Sequence, residues 1–185
     1  MAPLPYPDPP LADDVVQLRP WEGADATAIA AWGEDPEIVR WTAVPAAYTP
    51  EGAAQWIAAI EEKRAAGLTL GLAITDASTS ALLGSCDLRR PDPDDEELAE
   101  IGYLLDARAR GRGIATQALG LLVDWSFAAL GAARVQAQVH PGNPRSAAVL
   151  ERLGFRREGL LRDYRSVEGR REDSVMYARL AGEGV

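Results

Sequence analysis

The chain has 185 residues, 47% hydrophobic and 25% charged, enough to close one sizeable core in a soluble globular unit. Its one cysteine, Cys86, and one histidine, His140, exclude a disulfide framework, a cysteine-rich zinc site and a multi-histidine metal centre, and a reduced, cytoplasmic setting is the default. The net charge of −9 argues against broad nucleic-acid binding and suits a cationic partner, although acidity also serves solubility alone.

Residues 1–13 carry Pro3, Pro5, Pro7, Pro9 and Pro10, which predicts an extended or disordered arm ahead of a single domain over 14–182. The arm has neither the basic start nor the apolar segment of a secretory signal, and no stretch has the length of a membrane span. Residues 15–19 form a first strand, stopped by Pro20. The alanine-rich run 22–32 predicts a helix, and Asp35-Pro36 opens a shorter one to about Trp41. Thr49-Pro50-Glu51 is a helix entry, with threonine to cap, proline in the first turn and an acid beside the dipole; that helix stops at Gly67. Two strands, 68–75 and 81–88, follow around a Ser/Thr-rich turn. The loop 91–97, with Asp92, Asp94, Asp95, Glu96 and Glu97, reads as solvated; attraction of a cationic acceptor is its other reading. Residues 98–105 form a third central strand. A helix then runs to about Ala129, followed by an alternating strand over 134–139. Asn143 and Gly154 frame the next helix, and 155–180 suits two strands joined around Glu168-Gly169. About seven strands in this order predict an α/β (α+β) fold: a mixed, mostly antiparallel sheet with helices on both faces.

The junction between strand 98–105 and the following helix reads Arg108-Ala109-Arg110-Gly111-Arg112-Gly113-Ile114-Ala115. Two glycines let the backbone curl around a ligand, and the helix presents its unpaired N–H groups and positive dipole end to the loop. With three arginines alongside, this is a pyrophosphate cradle. No GxxxxGK[ST] occurs, which excludes a P-loop ATPase. Gly111-x-Gly113-x-x-Thr116 lacks the third glycine of a dinucleotide fingerprint, and no βαβ unit starts before it. An arginine-glycine nucleic-acid segment fits poorly between a strand and a helix of an acidic protein.

Several motifs resemble the GNAT superfamily of acetyl-CoA-dependent N-acetyltransferases. They are the Arg108-x-x-Gly111-x-Gly113 segment, and Asn143-x-x-Ser146 followed by Leu153-Gly154-Phe155. Others are similar to the RimJ/RimL-type branch: Leu18-Arg19-Pro20-Trp21, Asp35-Pro36-Glu37-Ile38, the stretch from Trp41 through Pro45 to Tyr48-Thr49, Glu100-Ile101-Gly102-Tyr103, and Arg162-Asp163-Tyr164 with Gly169, Asp173 and Tyr177. The resemblance covers about residues 15–180. It implies a GNAT fold with a splayed strand pair, and acetyl-CoA as cosubstrate without a metal. The pyrophosphate would sit on the loop from Arg108 to Ala115, and the pantetheine arm between strands 98–105 and 134–139. It adds a homodimer to the partners.

The resemblance also assigns roles. Glu100 becomes the candidate base, acting through water; an ion-paired glutamate is the competing reading. Ser146, with Asn143 beside it, becomes the candidate for hydrogen-bonding the CoA sulfur, although Asn143 is also a helix cap. The tyrosine acid that other branches carry seven residues after the asparagine is here Leu150, which donates no proton. Tyr103 and Tyr164 are candidates for lining the acceptor pocket; packing on the sheet is the alternative for each. A Cys86–His140 nucleophile–base pair has no supporting motif. A lysine-like amine of pKa about 10.4 costs roughly 4.6 kcal/mol to neutralise at pH 7, and an α-amine near 7.8 only about 1. The resemblance to the RimJ/RimL-type branch implies acetyl transfer to a protein or peptide N-terminal α-amine, which this arithmetic favours. Without a convincing nucleophile, the expected route is direct attack in a ternary complex. The alternatives are a small amine such as an aminoglycoside or polyamine, and a CoA-binding sensor without turnover.

Overall fold

The protein is described here from a computed structural model covering residues 2–167 and 169–183. One sheet of eight strands organises it: β1 (Leu11–Ala12), β2 (Val16–Arg19), β3 (Thr69–Asp76), β4 (Leu82–Arg89), β5 (Leu98–Leu105), β6 (Arg134–Val139), β7 (Arg156–Val167) and β8 (Arg170–Leu180). Their spatial order is β1-β2-β3-β4-β5-β6-β8-β7. All neighbours are antiparallel except β5 and β6, which are parallel. The strand beyond the expected seven is β1, which lies in the proline-rich arm.

The parallel pair is short. Leu98, Ala99 and Glu100 pair with Arg134, Val135 and Gln136, and the ladder then ends although both strands continue. From Ile101 and Ala137 onward the strands part. This leaves the splayed pair that the family resemblance implies.

Helices α1 (Ala26–Ala31), α2 (Pro36–Trp41) and α3 (Pro50–Ala65) cover one face of the sheet around Ile29, Trp32, Ile38 and Ala53. Helices α4 (Ile114–Ala129) and α5 (Pro144–Arg152) cover the other, where Ile114, Ala118, Leu119, Leu122 and Leu150 pack onto Leu72, Cys86, Ala99, Ile101 and Val135. Period-two alternation assigns the two faces of β5: Ala99 and Ile101 belong to the α4 side, and Leu104 packs on the α1–α3 side.

One stretch departs from the sequence reading. The run 22–32 is a short α1 between 3-10 turns at Gly23–Asp25 and Trp32–Glu34. Asp25 is drawn back to Arg19, with two guanidinium contacts of 2.8 Å, and it also accepts the Glu22 N–H, so the chain tightens there. At Gly33 a Cβ would come within 2.6 Å of the Tyr48 nitrogen; only glycine permits that approach. The arm, expected to be extended or disordered, packs on the core. Leu4 is wholly buried in the main core, its N–H donates to the Arg64 carbonyl at 3.0 Å, and Arg64 Nη1 returns a bond of 2.7 Å to the Leu4 carbonyl. The expected turn at Glu168-Gly169 falls partly on Glu168, which lies outside the described residues; Gly169 has φ +77°.

Candidate active site

A cleft of about 1460 Å³ runs from the start of α4, through the parted ends of β5 and β6, to the face covered by α1–α3. It exceeds the roughly 300–1,000 Å³ of ordinary small-molecule pockets, so it suits a long ligand together with a second one.

At one end, Gly111 and Gly113 hold φ of +74° and +79°, and Gly113 caps α4 without a side chain. A Cβ at either would meet nothing within 4 Å, so backbone angle rather than crowding requires glycine there. Ile114, Ala115 and Thr116 line the cleft at the helix start, where backbone N–H groups have no partner within the helix. The buried Gln117 Oε1, one turn on, has no hydrogen-bond partner among the described residues and also belongs to the lining. Open donors with an unused buried acceptor fit a pyrophosphate continued by an amide-bearing arm.

The arginines of the loop divide. Arg110 lines the cleft, but Nη2 lies 2.5 Å from Asp35 Oδ2 and its guanidinium also donates to the Leu105 carbonyl. It therefore ties the loop to the N-cap of α2. Burial works to raise the Asp35 carboxyl, but Arg110 and the Glu37 and Ile38 amides outweigh it and hold the group below its ordinary range. Arg108 is 84% exposed and pairs with Asp106 at 2.9 Å. Neither it, nor the buried Ala109, nor Arg112 belongs to the lining. From α5, Arg152 and Arg145 reach the cleft, the latter paired with Glu37 at 3.0 Å.

At the α5 end, Asn143 Oδ1 accepts the Ser146 N–H at 3.2 Å, so the asparagine does cap the helix. Ser146, Asn143 and Leu150 all line the cleft. Tyr103 does so as well, from the α4–α5 side of β5: burial pushes its phenol above 10.0, and the adjoining Ser146 hydroxyl draws it back in part. The tyrosine expected at the acceptor thus stands with Ser146. Tyr164 is 48% exposed and outside the lining, whereas its neighbour Arg165 reaches in. A register shift between Leu161 and Arg165, with Asp163 at φ +51°, turns this part of β7.

The opposite end has an acidic floor. Glu100 is buried, and its Oε2 accepts from Gln138 Nε2 at 2.9 Å and Gln136 Nε2 at 3.1 Å, while Oε1 lies 3.6 Å from Arg89. Both readings of Glu100 meet here, since it lines the cleft and is also paired. Beside it stands Asp87, whose Oδ2 is 3.1 Å from Arg89 Nε. Burial pushes the Asp87 carboxyl up and the Glu100 charge adds to this; Arg89, the Gly102 N–H and Lys63 oppose it. Trp32, Trp41, Trp56 and Tyr48 wall this end. Cys86 is fully buried on the other face, where burial pushes its thiol far above the ordinary range. His140 lines the cleft, its Nδ1 accepting the Gly142 N–H at 2.9 Å. Among the described residues no group of three or more His, Cys, Asp or Glu is placed to hold a metal ion.

The family model of the acetyltransferase (GNAT) domain matches residues 16–156. The chain belongs to the GNAT acetyltransferase family. An uncharacterized N-acetyltransferase, p20 of Bacillus licheniformis, is 32% identical over 166 residues, covering 90% of this chain and 93% of that one. The crystal structure of a ribosomal-protein-S5-alanine acetyltransferase from Vibrio fischeri superposes with a TM-score of 0.80 at 26% identity, covering 94% and 97% of the two chains. RimJ of Mycobacterium smegmatis in complex with CoA-disulfide does so with a TM-score of 0.80 at 28% identity, over 90% and 82%. GNAT acetyltransferases use acetyl-CoA, and the open amides of α4 with Gln117 offer it a fitting bed in this chain.

Sequence reasoning missed Asp87, Arg89, Arg145 and Arg152 in this GNAT cleft. For the first two a signal exists: Ser85, Asp87 and Arg89 alternate with Cys86 and Leu88. A polar strand face normally reads as solvated. Only the antiparallel register, Asp87 to Gly102 and Arg89 to Glu100, brings these charges beside the candidate base.

Proposed function

We propose that this GNAT enzyme transfers the acetyl group of acetyl-CoA to a primary amine, with a protein or peptide N-terminal α-amine as the preferred acceptor, by direct attack within a ternary complex. One observation carries the reading: a single cleft joins the cradle of α4 to the acidic floor through the gap between β5 and β6, so both reactants fit at once. Direct attack follows because the one thiol is buried on the far face, out of reach of a covalent route. The loop of Gly111 and Gly113 receives the pyrophosphate. Ser146 hydrogen-bonds the sulfur end, with the Tyr103 phenol beside it, and the acceptor amine rests on the floor of Asp87 and Glu100.

The α-amine is favoured by its small neutralisation cost. A second reading rests on the paired carboxylates, which also suit a polyamine or aminoglycoside. Thiol release from acetyl-CoA across N-terminal peptides, polyamines and aminoglycosides separates the two. Release with an Ala- or Ser-starting peptide, abolished by blocking its α-amine, supports the first reading. Release with the small amines alone moves the function to the second. Silence with all three, alongside tight CoA binding, overturns both in favour of a sensor.

A further inference from the structure

We infer that Asp87, rather than Glu100, receives the proton of the acceptor ammonium, placed there by the missing side chain of Gly102 at the point where β5 leaves β6. The inference rests on the acetyl-transfer reading above and deepens it.

Glu100 is committed. Two glutamine side chains donate to its Oε2, Arg89 faces its Oε1, and its neighbour pair in the sheet is the last one before the strands part. Asp87 is differently held. Arg89 flanks Oδ2 at 3.1 Å and the Gly102 N–H also bonds the carboxylate, but no second side chain donates to it among the described residues. Oδ1 lies over Gly102, where a Cβ would come within 2.5 Å of it and within 2.7 Å of Arg89 Nη2. Gly102 has ordinary negative φ, so backbone conformation does not call for glycine there. What it supplies is room: a Cβ there would force the carboxylate or the Arg89 guanidinium aside. Gly102 is two residues beyond the last β5–β6 pair, so Asp87 reaches across β5 to the opening itself. Its side chain keeps 28% exposure, on the face through which an amine would approach.

The charged groups facing Asp87 are Arg89 on its own strand, Glu100 on β5 and Lys63 on α3, with Arg165 of β7 also in the cleft wall. Burial and Glu100 raise its proton affinity, which brings a carboxylate nearer the α-amine range. The proton count closes without a further reagent. Asp87 takes one proton from R–NH3⁺. The neutral nitrogen then forms its bond to the thioester carbon, and the C–S bond breaks as the carbonyl re-forms. The second nitrogen proton passes by way of the Ser146 hydroxyl to the departing sulfur, leaving amide and CoA thiol. Asp87 returns its proton to solvent.

The test is the pH profile of kcat/KM for the parent protein, D87N, E100Q and G102A, with the acceptor that the amine panel identifies, and with CoA affinity and thermal unfolding measured alongside. The expected result is a loss of about 100-fold for D87N near neutral pH, disappearance of its acidic limb, and unchanged CoA affinity. G102A should reproduce the loss with Asp87 still present, because the new methyl displaces the carboxylate or the Arg89 guanidinium that flanks it. E100Q should move the limb without removing it. A parent that turns over while D87N keeps its rate and limb overturns this assignment alone, as does a limb that vanishes in E100Q and persists in D87N. A parent silent across the panel overturns the transferase reading and this inference with it.

Discussion

Gly113 shows how much of the site hangs on single residues. At φ +79° any other L-residue costs about 1–2 kcal/mol, and the position starts the helix whose free amides face the cleft. G113A is therefore expected to weaken CoA binding by about tenfold, measured by calorimetry, because the loop relaxes away from the left-handed angle and carries the amides with it. R108A should weaken it less, since that side chain is exposed and engaged with Asp106. A larger loss for R108A than for G113A would mean that side-chain charge, not backbone shape, holds the pyrophosphate. The glycines were legible because their spacing before an amphipathic run has a mechanical meaning. The division of labour among the arginines was not: nothing local in the chain says that Arg110 turns toward Asp35, 75 positions away.

At the scale of elements, legibility follows the local signals. Asp35, Thr49 and Asn143 cap α2, α3 and α5 as their positions before proline suggest, through side-chain bonds to Glu37 and Ile38, to Gly52 and to Ser146. The packing of the arm was not legible because its prolines describe a backbone preference, whereas its fate is set by Leu4 and Tyr6 meeting α3. The Tyr6 hydroxyl donates to Glu61 at 2.7 Å and its ring lies under Arg64. L4A should lower unfolding stability by about 2–5 kcal/mol in denaturant titration, because it empties a fully enclosed site. A cost near zero would mean the arm is not part of the folded unit. Glu61 adds a pH signature. The Arg64 and Tyr6 hydrogen bonds hold its carboxyl down to about 2 from 4.5. A carboxyl depressed in the folded state stabilises fully above its free value and loses that contribution as pH falls through the folded one. The contribution is therefore present above about 4.5 and vanishes toward 2, and E61Q should flatten acid unfolding of the parent within that window. The effect is small, because Glu61 is half exposed and screened.

For the whole molecule the controlling feature is the short parallel ladder. Only three residue pairs join β5 to β6, so the half built on β1–β5 and the half built on β6–β8 meet along an interrupted sheet. Below the gap the shared core spans both halves, through Ile101, Leu119, Val135 and Tyr177. Above it, the edges of β5 and β6 present backbone groups that a pantetheine arm would satisfy as a strand does. Binding there acts on both halves at once. At CoA concentrations near 100 times Kd, linkage adds about 2.7 kcal/mol to unfolding, a rise of roughly 5–10 °C in Tm for a chain of this size. Mass action alone would produce that rise wherever CoA bound, so the location has to come from hydrogen exchange. Slowing beyond that global increment should concentrate on the amides of 101–105 and 137–139 and of 114–116, while the β3–β4 ladder slows by no more than the increment. No excess at these positions over the rest of the sheet would mean that CoA binds outside the gap, and the splay would then need another explanation.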